Sequence, residues 1–198
     1  MSTHFLRILA QRRQATTLTA DAPSRTELDT IVGAAMGHSG ATSPTWRLVG
    51  TTRSQAPELA AALSGLKTIP AAGQNTPRLK GKKMRRLAAL RGSLAFTSRG
   101  GAAFALIFCP TPDSGLPKRI QRGEALGARH LLEAAFFGAG WATQWSPRQS
   151  PDPEQLAAFY DLQTGEEVLG WLFVGRPLAD DAAATSTFPP RPIPLRMR

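Results

Sequence analysis

One cysteine and three histidines are all the thiol and imidazole that this chain of 198 residues carries. Cys109 stands alone, which excludes an internal disulfide and a cysteine-built zinc cage. His4, His38 and His130 form no pair at the i, i+4 spacing that sets two ligands on one helix face, so no metal is expected. A Gly-x-Ser-x-Gly elbow and a Walker-type phosphate loop are also missing, which argues against hydrolysis by an activated nucleophile. No apolar run approaches the roughly 20 residues of a membrane-spanning helix. With no signal peptide visible, the expectation is a soluble protein in a reducing cytoplasm, without a membrane partner. Acidic residues are scarce as well: 14 stand against 24 lysines and arginines, leaving a net charge of +10. Nucleic acid, anionic lipid, acidic substrates and phosphorylated cofactors would all be drawn by that charge.

What is present is the composition of a folded protein. Apolar residues make up 42% and charged ones 19%, too few charges for a disordered chain, and the length suits one domain with tails. Residues 2–13 read as a short helix. "APSRTELDTIVGAAMG" opens a second, with Ser24 and Glu27 at capping-box spacing and Leu28, Ile31, Val32 and Ala35 in helical period. "TWRLVGT" (45–51) reads as a strand, and "APELAAALSGL" as a helix with Pro57 near its start. Residues 67–101 are irregular except for a short amphipathic helix around 83–91.

The second half is more regular. "AAFALIFC" (102–109) is a buried-strand candidate. The longest helical signal runs from about 119 to 139, with Leu126, Leu131, Leu132, Ala135 and Phe136 as its expected apolar face and Gly138 and Gly140 at its end. A proline-initiated helix, "PDPEQLAAFYDL", and an apolar strand, "EEVLGWLFVGRP", follow. Strands separated by helices give an α+β or α/β class with a small mixed sheet.

Few acid or base groups are available, so a reaction carried out here needs a cofactor to perform it. The order of segments resembles the nitroreductase superfamily, in its small bacterial branch of flavin-dependent NAD(P)H nitroreductase-like proteins. "LAQRRQ" is similar to that family's helix ending in Arg-Arg-Ser, and "LDTIVGAAMGHSGATSPTW" to its apolar helix, loop and Pro-Trp. "LGARHLLEAAFFGAGWATQW" resembles its long central helix followed by a glycine turn and a tryptophan. "DLQTGEEVLGWLFVGRPL" resembles its closing strand.

That resemblance implies an α+β nitroreductase-like fold: a small mixed, mostly antiparallel sheet surrounded by helices. Residues 1–177 would form a single FMN-binding domain, and 178–198 an extended C-terminal arm packing on the partner of a homodimer. It also implies ping-pong chemistry, in which NADH or NADPH reduces FMN and an electron-poor acceptor, a nitroaromatic or quinone, is reduced next. Arg12 and Arg13 match the family's phosphate-binding arginines, whose planar donors suit two phosphate oxygens, and Gln14 stands where a serine is usual. Ser39, Thr42 and Ser43 would offer hydroxyls to the flavin edge or ribityl chain. Gln144, Trp145 and Ser146 would lie against the ring, and Arg191 would add a late contact to the phosphate. No side chain is assigned a catalytic role of its own.

Other readings compete with these. Paired arginines at a helix end also favour the helix dipole, Trp46 and Trp171 are core residues by default, His130 suits packing or an interface, and Cys109 suits an inert core thiol. The run 78–91 holds seven basic residues, from Arg78 to Arg91, on what is most simply a solvated face. Nucleic-acid binding through it lacks interleaved aromatics or a recognisable binding motif and is the weakest alternative. Gln14, Thr17, Gly37 and Pro147 depart from the family pattern. They support a second alternative: a degenerate fold with weak or no FMN binding, acting as a binding or regulatory module.

Overall fold

The computed structural model describes residues 18–36, 45–59, 96–147 and 153–177. Three α-helices lie wholly among them, α1 (Arg25–Met36), α2 (Lys118–Gly138) and α3 (Pro153–Tyr160), and residues 56–59 and 96–98 are helical as well. Four strands accompany them, β1 (Trp46–Thr51), β2 (Ala102–Phe108), β3 (Ala142–Pro147) and β4 (Glu167–Gly175). The sheet order is β1-β2-β4-β3, and every pairing is antiparallel. The class is therefore α+β, with helices on both faces of one small sheet. The segments read as helices over 2–13 and 83–91 lie outside the described residues.

Local sequence accounts for the helix ends. Ahead of α1, the backbone N–H of Ser24 donates to Glu27 Oε2 at 2.8 Å while the N–H of Glu27 donates to Ser24 Oγ at 3.3 Å, the reciprocal pair of a capping box. At the end of α2, Gly140 adopts φ 80°. Its N–H donates to Phe137 O and that of Trp141 to Phe136 O, a Schellman closure that satisfies two orphan carbonyls and turns the chain into β3.

β4 is buried along almost its whole length because it lies inside the sheet and is covered on both faces. On one side, Leu169, Leu172 and Val174 pack with Ile31 and Ala35 of α1 and Ala125, Ala128, Leu132 and Phe136 of α2. On the other, Val168, Trp171 and Phe173 pack with Leu59, Phe96, Leu156 and Tyr160. Strict alternation would put Val168 on the Leu172 side. The register shift where Leu106 pairs with Gly170 but Ile107 with Val168 inserts Leu169 as an extra residue and reverses the phase.

Two expectations need correction. Leu126 and Leu131 do not face the core: they are 36% and 44% exposed, and the buried face of α2 is Gln121, Ala125, Ala128, Leu132, Glu133 and Phe136. Alanines let α2 approach the sheet closely, and the two polar residues are satisfied. Gln121 bonds to Thr111 N, Thr111 O and Leu116 O, tying down the loop before the helix, and Glu133 accepts from Arg129 Nε at 3.0 Å. The second correction is β3: the segment that resembles a glycine turn followed by a tryptophan is a strand over Ala142–Pro147. "ATQWSP" lacks a clear apolar alternation because it is a polar edge strand, stabilised by its pairing with β4.

Candidate functional site: the edge strand β3 and the paired terminal segments

β3 forms one border of the sheet, and among the described residues no strand pairs with its outer side. Alternate backbone N–H and C=O groups of such an edge are open to a ligand. Gln144 and Ser146 sit opposite Phe173 and Trp171 and so share one face, with Gln144 exposed and Ser146 half-buried. Trp145 sits opposite Leu172 and points to the α2 face. The three residues expected at the ring are adjacent on one edge, but their side chains occupy two faces, as a period of two demands. Pro147 ends the strand, exposed and without an N–H to offer.

Trp145 is held from two sides. Beneath it is Gly170, where an added Cβ would meet the indole ring and stand 2.6 Å from Ser146 O. Above it is the Arg129 guanidinium, 4.9 Å from the ring centroid and itself paired with Glu133. His130 Nδ1 lies 3.4 Å from the same carboxylate, so His130 belongs to this polar group rather than to the core. Sequence reasoning missed Arg129 and Glu133. Their i, i+4 spacing is readable, whereas the contact with Trp145 exists only once α2 packs on the sheet.

At the far end of β4 the two terminal segments meet. Leu18 bridges to Pro177, Thr19 N–H donates to Arg176 O at 2.9 Å, and Arg176 N–H donates to Thr19 Oγ1 at 3.2 Å. Arg176 also stacks on Trp141 with its guanidinium carbon 3.7 Å from a ring centroid, and donates to Gly140 O at 2.7 Å. Glu27 faces this group: its carboxyl is held below the ordinary range first by the Ser24 N–H and hydroxyl, with smaller contributions from Trp141 and Arg176. Arg12, Arg13, Gln14, Ser39, Thr42, Ser43 and Arg191 lie outside the described residues, as do Thr17, Gly37, His38 and the run 78–91.

A second polar cluster lies under the opposite end of β4. Arg47 grips Glu166 through Nε at 3.1 Å and Nη2 at 2.8 Å, and the Cys109 thiol donates to Glu166 Oε1 at 3.0 Å. Arg47, Cys109 and the Gln163 N–H hold the Glu166 carboxyl down to about 2. Burial, followed by the hydrogen bond to Glu166 and then its charge, pushes the Cys109 thiol up to about 12. A thiol so disfavoured as thiolate is a poor nucleophile at neutral pH, in line with an inert structural role. Trp171 is likewise a core residue, buried and bonded through Nε1 to Tyr160 Oη at 2.7 Å.

No protein-family model matches the sequence, and no curated protein matches it. Solved structures do match in shape. A nitroreductase-like family protein from Bacillus cereus is 15% identical and has a TM-score of 0.64, the match covering 97% of this chain and 93% of that one. An NADPH:FMN oxidoreductase from Vibrio harveyi, complexed with NAD+, is 13% identical with a TM-score of 0.62 over 88% of this chain and 69% of its own. An iodotyrosine deiodinase bound to FMN and 3-iodo-L-tyrosine is 13% identical with a TM-score of 0.58, the match covering 98% of each chain. No described helix is long and apolar enough to cross a membrane.

Proposed function

From the premise that this chain has the nitroreductase fold, we propose that it is an FMN-dependent oxidoreductase using NADH or NADPH to reduce an electron-poor acceptor. The observation that carries the reading is the whole-chain match to nitroreductase-fold structures, two of which name FMN as ligand or substrate. The donor set suits that cofactor. Open strand backbone at β3, the exposed Gln144 amide and the Ser146 hydroxyl complement the polar rim of a planar heterocycle. Arg12 and Arg13, with Gln14 and Arg191, supply cationic and amide donors for a phosphate. Ser39, Thr42 and Ser43 supply hydroxyls for the ribityl chain.

FMN, when held by these residues, would supply the two-electron chemistry that links a nicotinamide donor to a nitroaromatic or quinone acceptor. The protein's own contribution is placement. Gln144, Ser146 and the outer backbone of β3 orient the ring edge. The packing of Trp145 between Gly170 and Arg129 fixes the strand that carries them, and it keeps a guanidinium close to that edge. The +10 net charge favours encounter with a dinucleotide.

The domain is proposed to end at 177, with 178–198 as an arm on the partner of a homodimer. Support for the dimer comes from the outer face of α2, where Ile120 and Leu131 are each 44% exposed. Between them Gly123 and Gly127 have, among the described residues, nothing within 4 Å of where a Cβ would stand, a flat apolar strip suited to a second helix.

Purified protein incubated with FMN should oxidise NADH or NADPH in the presence of a nitroaromatic or quinone acceptor. Absence of oxidation with both nucleotides and either acceptor class overturns the enzymatic reading. Pro147, which cannot donate at the end of β3, favours the second reading of a degenerate fold that binds or regulates. That reading predicts an intact dimer without retained flavin.

A further inference from the structure

We propose that Arg176 is a positioning residue whose stack and bonds fix the segment that enters from the phosphate-binding arginines, so that FMN retention depends on a side chain that need not touch the cofactor. The inference rests on the functional reading above, because it concerns the same cofactor. Its basis is a set of independent contacts on one residue. The guanidinium lies 3.7 Å from the Trp141 ring centroid and donates to Gly140 O at 2.7 Å. The backbone of the same residue exchanges two hydrogen bonds with Thr19, and the next residue, Pro177, bridges to Leu18.

Arg176 thereby joins three parts of the fold: the end of α2, the end of β4, and the chain that follows the N-terminal arginines. Gly140, at φ 80°, leaves room for the guanidinium, since an added Cβ would stand 3.3 Å from Arg176 Nη1, and Gly175 lets the Leu18–Thr19 segment approach, since an added Cβ would collide with Thr19 O. Thr19 Oγ1 also donates to Asp21 Oδ2 at 2.6 Å, which orients the hydroxyl oxygen that accepts from the Arg176 N–H.

Arg13 lies five residues before Leu18. A chain of that length spans at most about 17 Å, so fixing Leu18 sets an upper bound on the distance of Arg13 from the crossing. Freeing it divides the population between anchored and unanchored chains. A ligand that needs the anchored state loses apparent affinity in proportion to the fraction that remains competent.

The test uses the full chain and the variants Arg176→Ala, Arg176→Lys and Leu156→Ala. Leu156 sits at the other end of β4, beside Leu162, Glu167 and Val168, and makes none of the Arg176 contacts, so its truncation lowers the melting temperature while leaving the stack and bonds of Arg176 in place. Two quantities are measured: amide hydrogen exchange at Thr19 without FMN, and the FMN dissociation constant by quenching of flavin fluorescence. Arg176→Ala and Arg176→Lys should each speed Thr19 exchange and weaken FMN binding about tenfold, as expected when about a tenth of the chains remain anchored. Leu156→Ala should do neither. A lysine variant that restores FMN affinity would mean that charge alone acts, and would overturn the proposal.

Unchanged Thr19 exchange in Arg176→Lys overturns it too, as does faster exchange with undiminished FMN affinity. Wild-type protein that takes up no FMN overturns the functional reading and the cofactor half of this inference together. The exchange data still decide whether Arg176 fixes the crossing.

Discussion

Glu166 receives four hydrogen bonds, from Arg47 Nε and Nη2, the Cys109 thiol and the Gln163 N–H, and carries a depressed pKa of about 2 as a result. A carboxyl lowered by folding contributes stability that is present above its ordinary value of 4.5 and is lost as pH falls through the folded value. Urea unfolding should therefore show stability declining between pH 4.5 and 2, and Glu166→Gln should flatten that part of the curve while costing about 2 kcal/mol at pH 7. An unaltered acid limb in the variant would assign the decline to other carboxyls. None of this was legible in the sequence. Arg47, Cys109 and Glu166 are far apart along the chain and meet because β1 and the start of β4 flank the end of β2. The capping box was legible, since Ser24 and Glu27 lie three residues apart and need no tertiary context. The expected phosphate ligands Arg12 and Arg13 are a residue-scale reading as well. Arg12→Ala should release FMN at least tenfold more readily than Lys82→Ala in a dialysis-retention assay, the loss of one charge-assisted phosphate contact being on the order of 1.5–3 kcal/mol. Equal retention would return both arginines to the general basic surface.

Among the elements, β2, β4, α1 and α2 were readable because each carries a run or a period long enough to stand out from its neighbours. β3 was not, since an edge strand of mixed polarity owes its conformation to β4. The buried side of α2 was misread for a related reason: Leu126 and Leu131 match a helical apolar pattern, yet close approach to the sheet selects Ala125 and Ala128. Their exposure in turn locates the strip proposed to meet a second copy. Leu131→Asp should halve the mass measured by light scattering while leaving far-ultraviolet circular dichroism unchanged, and a mass that stays dimeric would place the interface elsewhere. The bulge at Leu169 is invisible in sequence, and with it the reason for a glycine at 170. Gly170→Ala should cost about 1–3 kcal/mol by overpacking against Trp145, read as a lower urea midpoint. Unchanged stability would mean that Trp145 has room to move.

For the whole molecule, the sheet has helices on both faces, and the bridge between Leu18 and Pro177 brings the first and last described residues together at one end of β4. The order of segments along the sequence was enough to expect this fold, and the match in shape over nearly the whole chain bears it out. The site was legible only as far as residue types allowed, because sequence could mark Gln144, Trp145 and Ser146 as neighbours but not divide them between the two faces of a strand. This chain is proposed to hold FMN. The most direct test of that proposal is the visible absorption spectrum of the purified protein after incubation with FMN and removal of free ligand. The account predicts a protein-bound flavin band near one equivalent per chain that bleaches on addition of NADH or NADPH. A folded protein that stays colourless would contradict it.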